Sequence, residues 1–110
     1  MSNALLAPRI RVPRSAKAGE VIEIRTLMEH PMETGLRQDD DGFIVPRNML
    51  TRLLVRMNGE TVLAAEFRNG TAANPYHAFF VRVEQTSLFE LAWTDEFNRT
   101  ARAEARVAVA

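Results

Sequence analysis

The sequence has no cysteine. Disulfides, thiolate nucleophiles, iron–sulfur clusters and cysteine-ligated zinc are excluded within this chain. Its two histidines, His30 and His77, are too few for a multi-histidine iron site on a β-sandwich. No Gly-x-Ser-x-Gly elbow is present, so the common serine-hydrolase signature is missing. The acidic run Asp39-Asp40-Asp41 lacks the alternating oxygen ligands of a calcium loop. Formal net charge is zero, which argues against nucleic-acid binding, since that needs a basic face to displace counterions. No apolar run approaches the ~20 residues of a membrane helix. The opening stretch MSNALLAPRIRVP has neither a basic n-region nor a full h-region. On its own that reads as cytoplasmic.

What is present describes one soluble domain. The chain has 110 residues and an apolar fraction of 46%, enough for a core without covalent staples. Residues 1–7 read as a flexible N-terminal stretch. Positive charge is almost all arginine, with Lys17 the only lysine. Either a taste for forked contacts to carboxylates or a skewed base composition gives that bias.

The dominant period is two. Ile22, Ile24 and Met28 share a face of one run. Phe79, Val81 and Val83 share a face, with Arg82 opposite. Phe89, Leu91 and Trp93 alternate around Glu90, and Trp93 reads as core. Ala101, Ala103, Ala105 and Val107 alternate with Arg102, Glu104 and Arg106, so strict alternation outweighs the weak strand propensity of alanine. Asn58-Gly59 is a hairpin signal, because both central turn positions accept positive φ. Asn69-Gly70 and Asn74-Pro75 punctuate the next connection. The expectation is about seven strands, near 8–12, 20–28, 50–57, 61–67, 76–83, 88–94 and 100–108. Strands so spaced predict an all-β, immunoglobulin-like two-sheet β-sandwich. The triplets Asn69-Gly70-Thr71 and Asn98-Arg99-Thr100 are sequon-like, but such triplets arise often by chance.

Two features depart from a plain sandwich. Leu53-Leu54-Val55 and Phe79-Phe80-Val81 are apolar on both faces, and Leu88-Phe89 is a shorter case. Either a partner covers Leu54, Phe80 and Leu88, or a loop does. The second feature is a long connection from Glu29 to Gly42 containing HPMETG, then Arg37. Pro31 biases its predecessor to extended geometry and Gly35 permits positive φ, so the loop is shaped. His30 and Glu33 suit a small metal or acid/base site; the same segment also suits a surface read by another protein. Arg37 and Arg47 are the nearest arginines. They can hold an anion, or pair with Glu33 or Asp39.

One continuous pattern runs through the chain. It comprises Ala18-Gly19, Val21-x-Glu23-Ile24-x-Thr26-Leu27, His30-Pro31-Met32-Glu33-Thr34-Gly35-x-Arg37, Gly42, Pro46-Arg47 and Asn58-Gly59. Asn74-Pro75-Tyr76, Phe79 and Trp93-x-Asp95 complete it. From about Arg9 to Ala108 the chain resembles the Z subunit of the YZ sulfur carrier of the bacterial sulfur-oxidation (Sox) system. The turn Glu96-Phe97-Asn98-Arg99 departs from the Asp-Gly-type turn of many relatives.

The resemblance implies a β-sandwich without catalytic site, cofactor or metal. It implies pairing with a Y subunit whose glycine-rich C-terminal arm carries sulfur on one cysteine. Other Sox enzymes would make transient contact. His30, Pro31, Met32, Glu33, Thr34, Gly35, Arg37, Arg47, Asn74, Pro75 and Tyr76 become candidates for contact with Y or its arm. Leu54, Phe80 and Leu88 become apolar interface candidates. No nucleic acid or membrane is implied. The implied location is the periplasm, reached with a signal-bearing Y subunit. Exposed apolar strands predict a homodimer when Y is absent. The alternatives are a generic β-sandwich interaction module and a small metalloprotein using His30 and Glu33.

Overall fold

The computed structural model describes residues 7–67 and 73–110. Residues 1–6 lie outside the described residues, as do the Asn69-Gly70 turn and the first sequon-like triplet. Among the described residues there is no helix. The described residues form eight strands: β1 (Arg9–Arg11), β2 (Ser15–Ala16), β3 (Glu20–Leu27), β4 (Leu50–Met57), β5 (Glu60–Glu66), β6 (Tyr76–Val83), β7 (Ser87–Asp95) and β8 (Thr100–Val109). The strand beyond the expected seven is β2, a two-residue parallel pairing with β8. It is too short to leave a period in the sequence.

The strands lie in a three-stranded sheet, β1-β3-β6, and a five-stranded sheet, β2-β8-β7-β4-β5. Alternation decides which face each side chain takes. Ile22, Ile24 and Thr26 turn inward from β3, with Met28 just beyond it. Leu53 and Val55 of β4 meet Phe89, Leu91 and Trp93 of β7, and Ala101 and Val107 of β8 close the layer. Trp93 is 1% exposed. Burying each such large side chain stabilises the fold by about 1.5–3 kcal/mol. On β8, Arg102, Glu104 and Arg106 face water.

The β4–β5 turn has Asn58 at φ 53° and Gly59 at φ 86°, the two left-handed positions that match strand twist. The Asn58 side chain also ties this hairpin to β7. It accepts from the Leu88 N–H at 2.9 Å and donates to Ser87 Oγ at 3.3 Å. The register slips between Val55 and Arg56 against β5, and between Leu50 and Arg52 against β7. The connection from β3 to β4 is anchored at both ends by Met28, Met32 and Met49, which are buried in the core, and its middle is a bridged excursion.

Candidate interaction site

The two most specific sequence motifs meet in space. The Asn74 N–H donates to the His30 carbonyl at 2.7 Å. The His30 N–H donates to Asn74 Oδ1 at 2.9 Å. Asn74 sits at φ 52°, a conformation asparagine tolerates better than most residues. The Met28 N–H reaches the Pro75 carbonyl at 3.1 Å. HPMETG and Asn74-Pro75-Tyr76 are therefore two sides of one corner, between the end of β3 and the start of β6.

His30 and Met32 point into the protein. They are 2% and 5% exposed. The Met32 N–H donates to His30 Nδ1 at 2.9 Å, so that nitrogen is an acceptor and the proton of the neutral ring is on Nε2. Burial pushes the imidazole pKa down; Asp95 opposes the shift and Arg99 adds to it. Met32 has φ 53°, uncommon for an unbranched non-glycine residue. Its thioether accepts a hydrogen bond from the Leu50 N–H at 3.3 Å. These anchors hold the turn. His30 Nε2 and Asn48 Oδ1 are buried side-chain atoms with no protein partner among the described residues.

The next residues bridge to the far end of the connection. Glu33 and Asn48 exchange two backbone hydrogen bonds of 2.8 Å. Gly35 has φ 86°, and a Cβ there would lie 3.2 Å from Cβ of Arg47. Both conformation and space call for glycine. Arg37 pairs with Glu33, Nη2 to Oε1 at 2.7 Å. That contact holds the Glu33 carboxyl below its usual range. Arg47 pairs with Glu96 at 3.1 Å. Arg37 thus takes the expected pair with Glu33, whereas Arg47 pairs with Glu96 instead of Glu33 or Asp39; an anion at either arginine would compete with those carboxylates. His30 and Glu33, joined in the metal reading, are engaged separately, which gives that reading no support.

Beyond Gly35 the chain makes a small two-stranded arm. The Val45 N–H bonds the Arg37 carbonyl at 2.8 Å, and the Asp39 N–H bonds the Phe43 carbonyl at 2.8 Å. Asp39 caps the tip, accepting from the N–H groups of Asp41 and Phe43 at 3.0 Å each. Leu36, Phe43 and Ile44 are exposed on this arm. Sequence reasoning missed them, because they lie in a loop with no strand period to flag a wet apolar side chain.

At the β7–β8 turn, Asp95 is 1% exposed. Its Oδ1 accepts from the N–H groups of Phe97 and Arg99 at 3.0 and 2.8 Å, and Oδ2 accepts from Arg99 Nε at 2.6 Å. The carboxylate thus builds the turn where the chain departs from the family pattern. Phe97 is exposed there, with the Arg99 guanidinium 5.5 Å from its ring.

The remaining candidates divide by exposure. Pro31, Thr34, Arg37, Arg47, Asn74 and Tyr76 are exposed, whereas Pro75 is buried. Thus His30, Met32 and Pro75 shape the corner, and a partner would meet the others. Phe80 is 68% exposed on β6 and Leu88 41% on β7, on different sheets. Leu54 is half-buried in a shallow concavity of about 250 Å3 on the outer face of the larger sheet, beside Arg52, Arg56, Glu90 and Arg102.

Comparison with known proteins bears on both fold and family. The chain is similar in structure to a variant of the superoxide reductase (neelaredoxin) of Ignicoccus hospitalis, with a TM-score of 0.76 at 16% identity over 97% of this chain and 82% of the other. It is similar to the sulfur carrier protein SoxY of Chlorobium limicola f. thiosulfatophilum, with a TM-score of 0.65 at 14% identity over 94% of this chain and 79% of the other. The superoxide reductase of Nanoarchaeum equitans gives a TM-score of 0.65 at 13% identity, over 96% of this chain and 95% of the other. At such identities these likenesses establish a shared sandwich and no shared chemistry. No curated protein sequence matches the chain. The family described as sulphur oxidation protein SoxZ matches residues 10–106, nearly the whole domain. The chain therefore belongs to the SoxZ family and is a protein of the sulfur-oxidation system.

Proposed function

We propose that this chain is the non-catalytic subunit of a heterodimeric sulfur carrier. It pairs with a cysteine-bearing Y subunit and helps present the sulfur-loaded arm of Y to the enzymes of thiosulfate and sulfur oxidation. The observation that carries this reading is the SoxZ family match over residues 10–106 in a chain without cysteine. Without a thiol the chain cannot itself hold sulfur as a persulfide or thiosulfonate. Exposed apolar side chains on ordered strands supply surface for a lasting partner. The reading extends to location: the pair works in the periplasm. Contact with the visiting enzymes is transient.

Co-expression with Y from the same genome tests the reading, with affinity capture and size measurement under reducing conditions. A one-to-one complex that survives reduction is expected. Two folded proteins that do not associate would return this chain to a generic β-sandwich interaction module.

A further inference from the structure

A sheet edge presents unpaired backbone N–H and C=O groups, and proteins usually shorten, bend or charge such edges. The four edges here are unequal. β1 is three residues long, between Pro8 and Pro13, and β2 is two. β5 carries Glu60 and Glu66 at its ends and has an irregular register with β4. β6 differs from all three. It is eight residues long and keeps an unbroken register with β3. It contains no proline and no lysine, and Arg82 is its one acidic or basic residue apart from His77 and Tyr76. Among the described residues it pairs on one side only. Among the described residues, no loop backbone bonds to residues 76–82.

The surroundings of that edge are also unfinished. Phe79 and Val81 face inward yet are only half-buried, so the core stays partly open along β6. Outward, Phe80 and Tyr76 are 68% and 58% exposed, and Val21 of β3 is 50% exposed. Arg9, Arg11, Arg25 and Arg82 surround this apolar strip on its own sheet, against Glu23, Glu29 and Glu84; Arg25 pairs with Glu23 and Arg9 with Glu29. The whole chain is neutral, so the excess is local to this face.

We infer that β6 is a strand-addition edge on which the Y subunit lays a strand of its own, extending the β1-β3-β6 sheet across the heterodimer. The inference rests on the carrier-subunit reading above. Main-chain hydrogen bonds would supply affinity, and side chains on alternate positions would supply selectivity. The occupant is a strand flanked by apolar side chains and carboxylates, which would cover Phe80 and Tyr76 and answer the arginines. A second copy of this chain is the poorer fit, because it brings a second basic face to the first. The solved SoxY shares the sandwich fold at a TM-score of 0.65, and a sandwich of that kind has edge strands to offer.

The test uses the intact chain with its Y partner. Amide hydrogen exchange is followed in the free chain and in the complex, alongside affinities of F80R and I44R. Both side chains are exposed, so the variants fold. The expected result is new protection across residues 76–83 in the complex. F80R should weaken binding at least ten-fold, with I44R within two-fold of the parent. Protection that appears elsewhere, with F80R unaffected, overturns the edge assignment and leaves the carrier-subunit reading standing. Equal protection of β6 in the free chain at the same concentration assigns the edge to a second copy and overturns the choice of Y. If the parent chain does not bind Y at all, the underlying reading fails and this inference with it.

Discussion

His30 has one nitrogen committed as an acceptor from Met32 and the other buried without a protein partner among the described residues. The ring is therefore stable only while neutral. Its folded pKa is lowered, chiefly by burial, whereas in the unfolded chain it is about 6.5. As pH falls past that value the unfolded chain takes up the proton first. The contribution of His30 is thus complete above about pH 6.5 and is lost toward the lower, folded pKa. Stability should fall on acidification below about pH 6.5, by at most about 1.4 kcal/mol per pH unit for one proton. H30N keeps an acceptor near the Met32 N–H and removes the titration, so its profile should be flatter. Denaturant titrations between about pH 5 and 8 check this; a parent protein with no slope in that window would refute it. The sequence marked this loop as shaped, through Pro31 and Gly35, but not that His30 and Met32 turn inward. Loops carry no period from which a side chain's direction can be read.

The strands were legible because side-chain alternation and burial are one physical fact seen twice. Ile22 and Ile24 on β3, Phe89, Leu91 and Trp93 on β7, and Ala101 and Val107 on β8 are buried where the pattern put them. The Asn58-Gly59 turn followed from backbone freedom alone. What escaped was tertiary. β2 exists because β8 offers it an edge, and the two-stranded arm from Arg37 to Val45 is held by backbone bonds that no local period announces. The β7–β8 hairpin joins both kinds. Alternation set its strands, but its turn depends on one buried carboxylate, Asp95, accepting three hydrogen bonds. D95N keeps the size, removes the charge and turns an amide N–H or a neutral oxygen toward the Arg99 Nε–H. Breaking a buried, charge-assisted pair of this kind costs about 3 kcal/mol. Thermal and chemical unfolding of D95N should show that loss; a change below about 0.5 kcal/mol, the range of an indifferent surface substitution, would mean the carboxylate does not hold the turn.

At the scale of the whole molecule, zero net charge conceals a division. The tip of the arm carries Asp39, Asp40 and Asp41, while the outer face of β1-β3-β6 carries Arg9, Arg11, Arg25 and Arg82 against Glu23, Glu29 and Glu84, a small basic excess. Two copies meeting through β6 would bring like charges together. A partner with carboxylates would not. Salt therefore separates the two associations by sign. At about 0.05 M salt the screening length exceeds 10 Å, and at about 0.5 M it is only a few ångströms. Raising salt between those limits should weaken the complex with Y, mainly by slowing association, because steering between opposite charges is screened. The same change should strengthen self-association of the isolated chain, because repulsion between basic faces is screened while apolar contact remains. Sedimentation of the isolated chain at both salts, with association rates for the Y complex, reads both signs. A Y complex that tightens with salt would show that apolar area alone holds it, and would remove charge complementarity as the reason β6 prefers Y to its own copy.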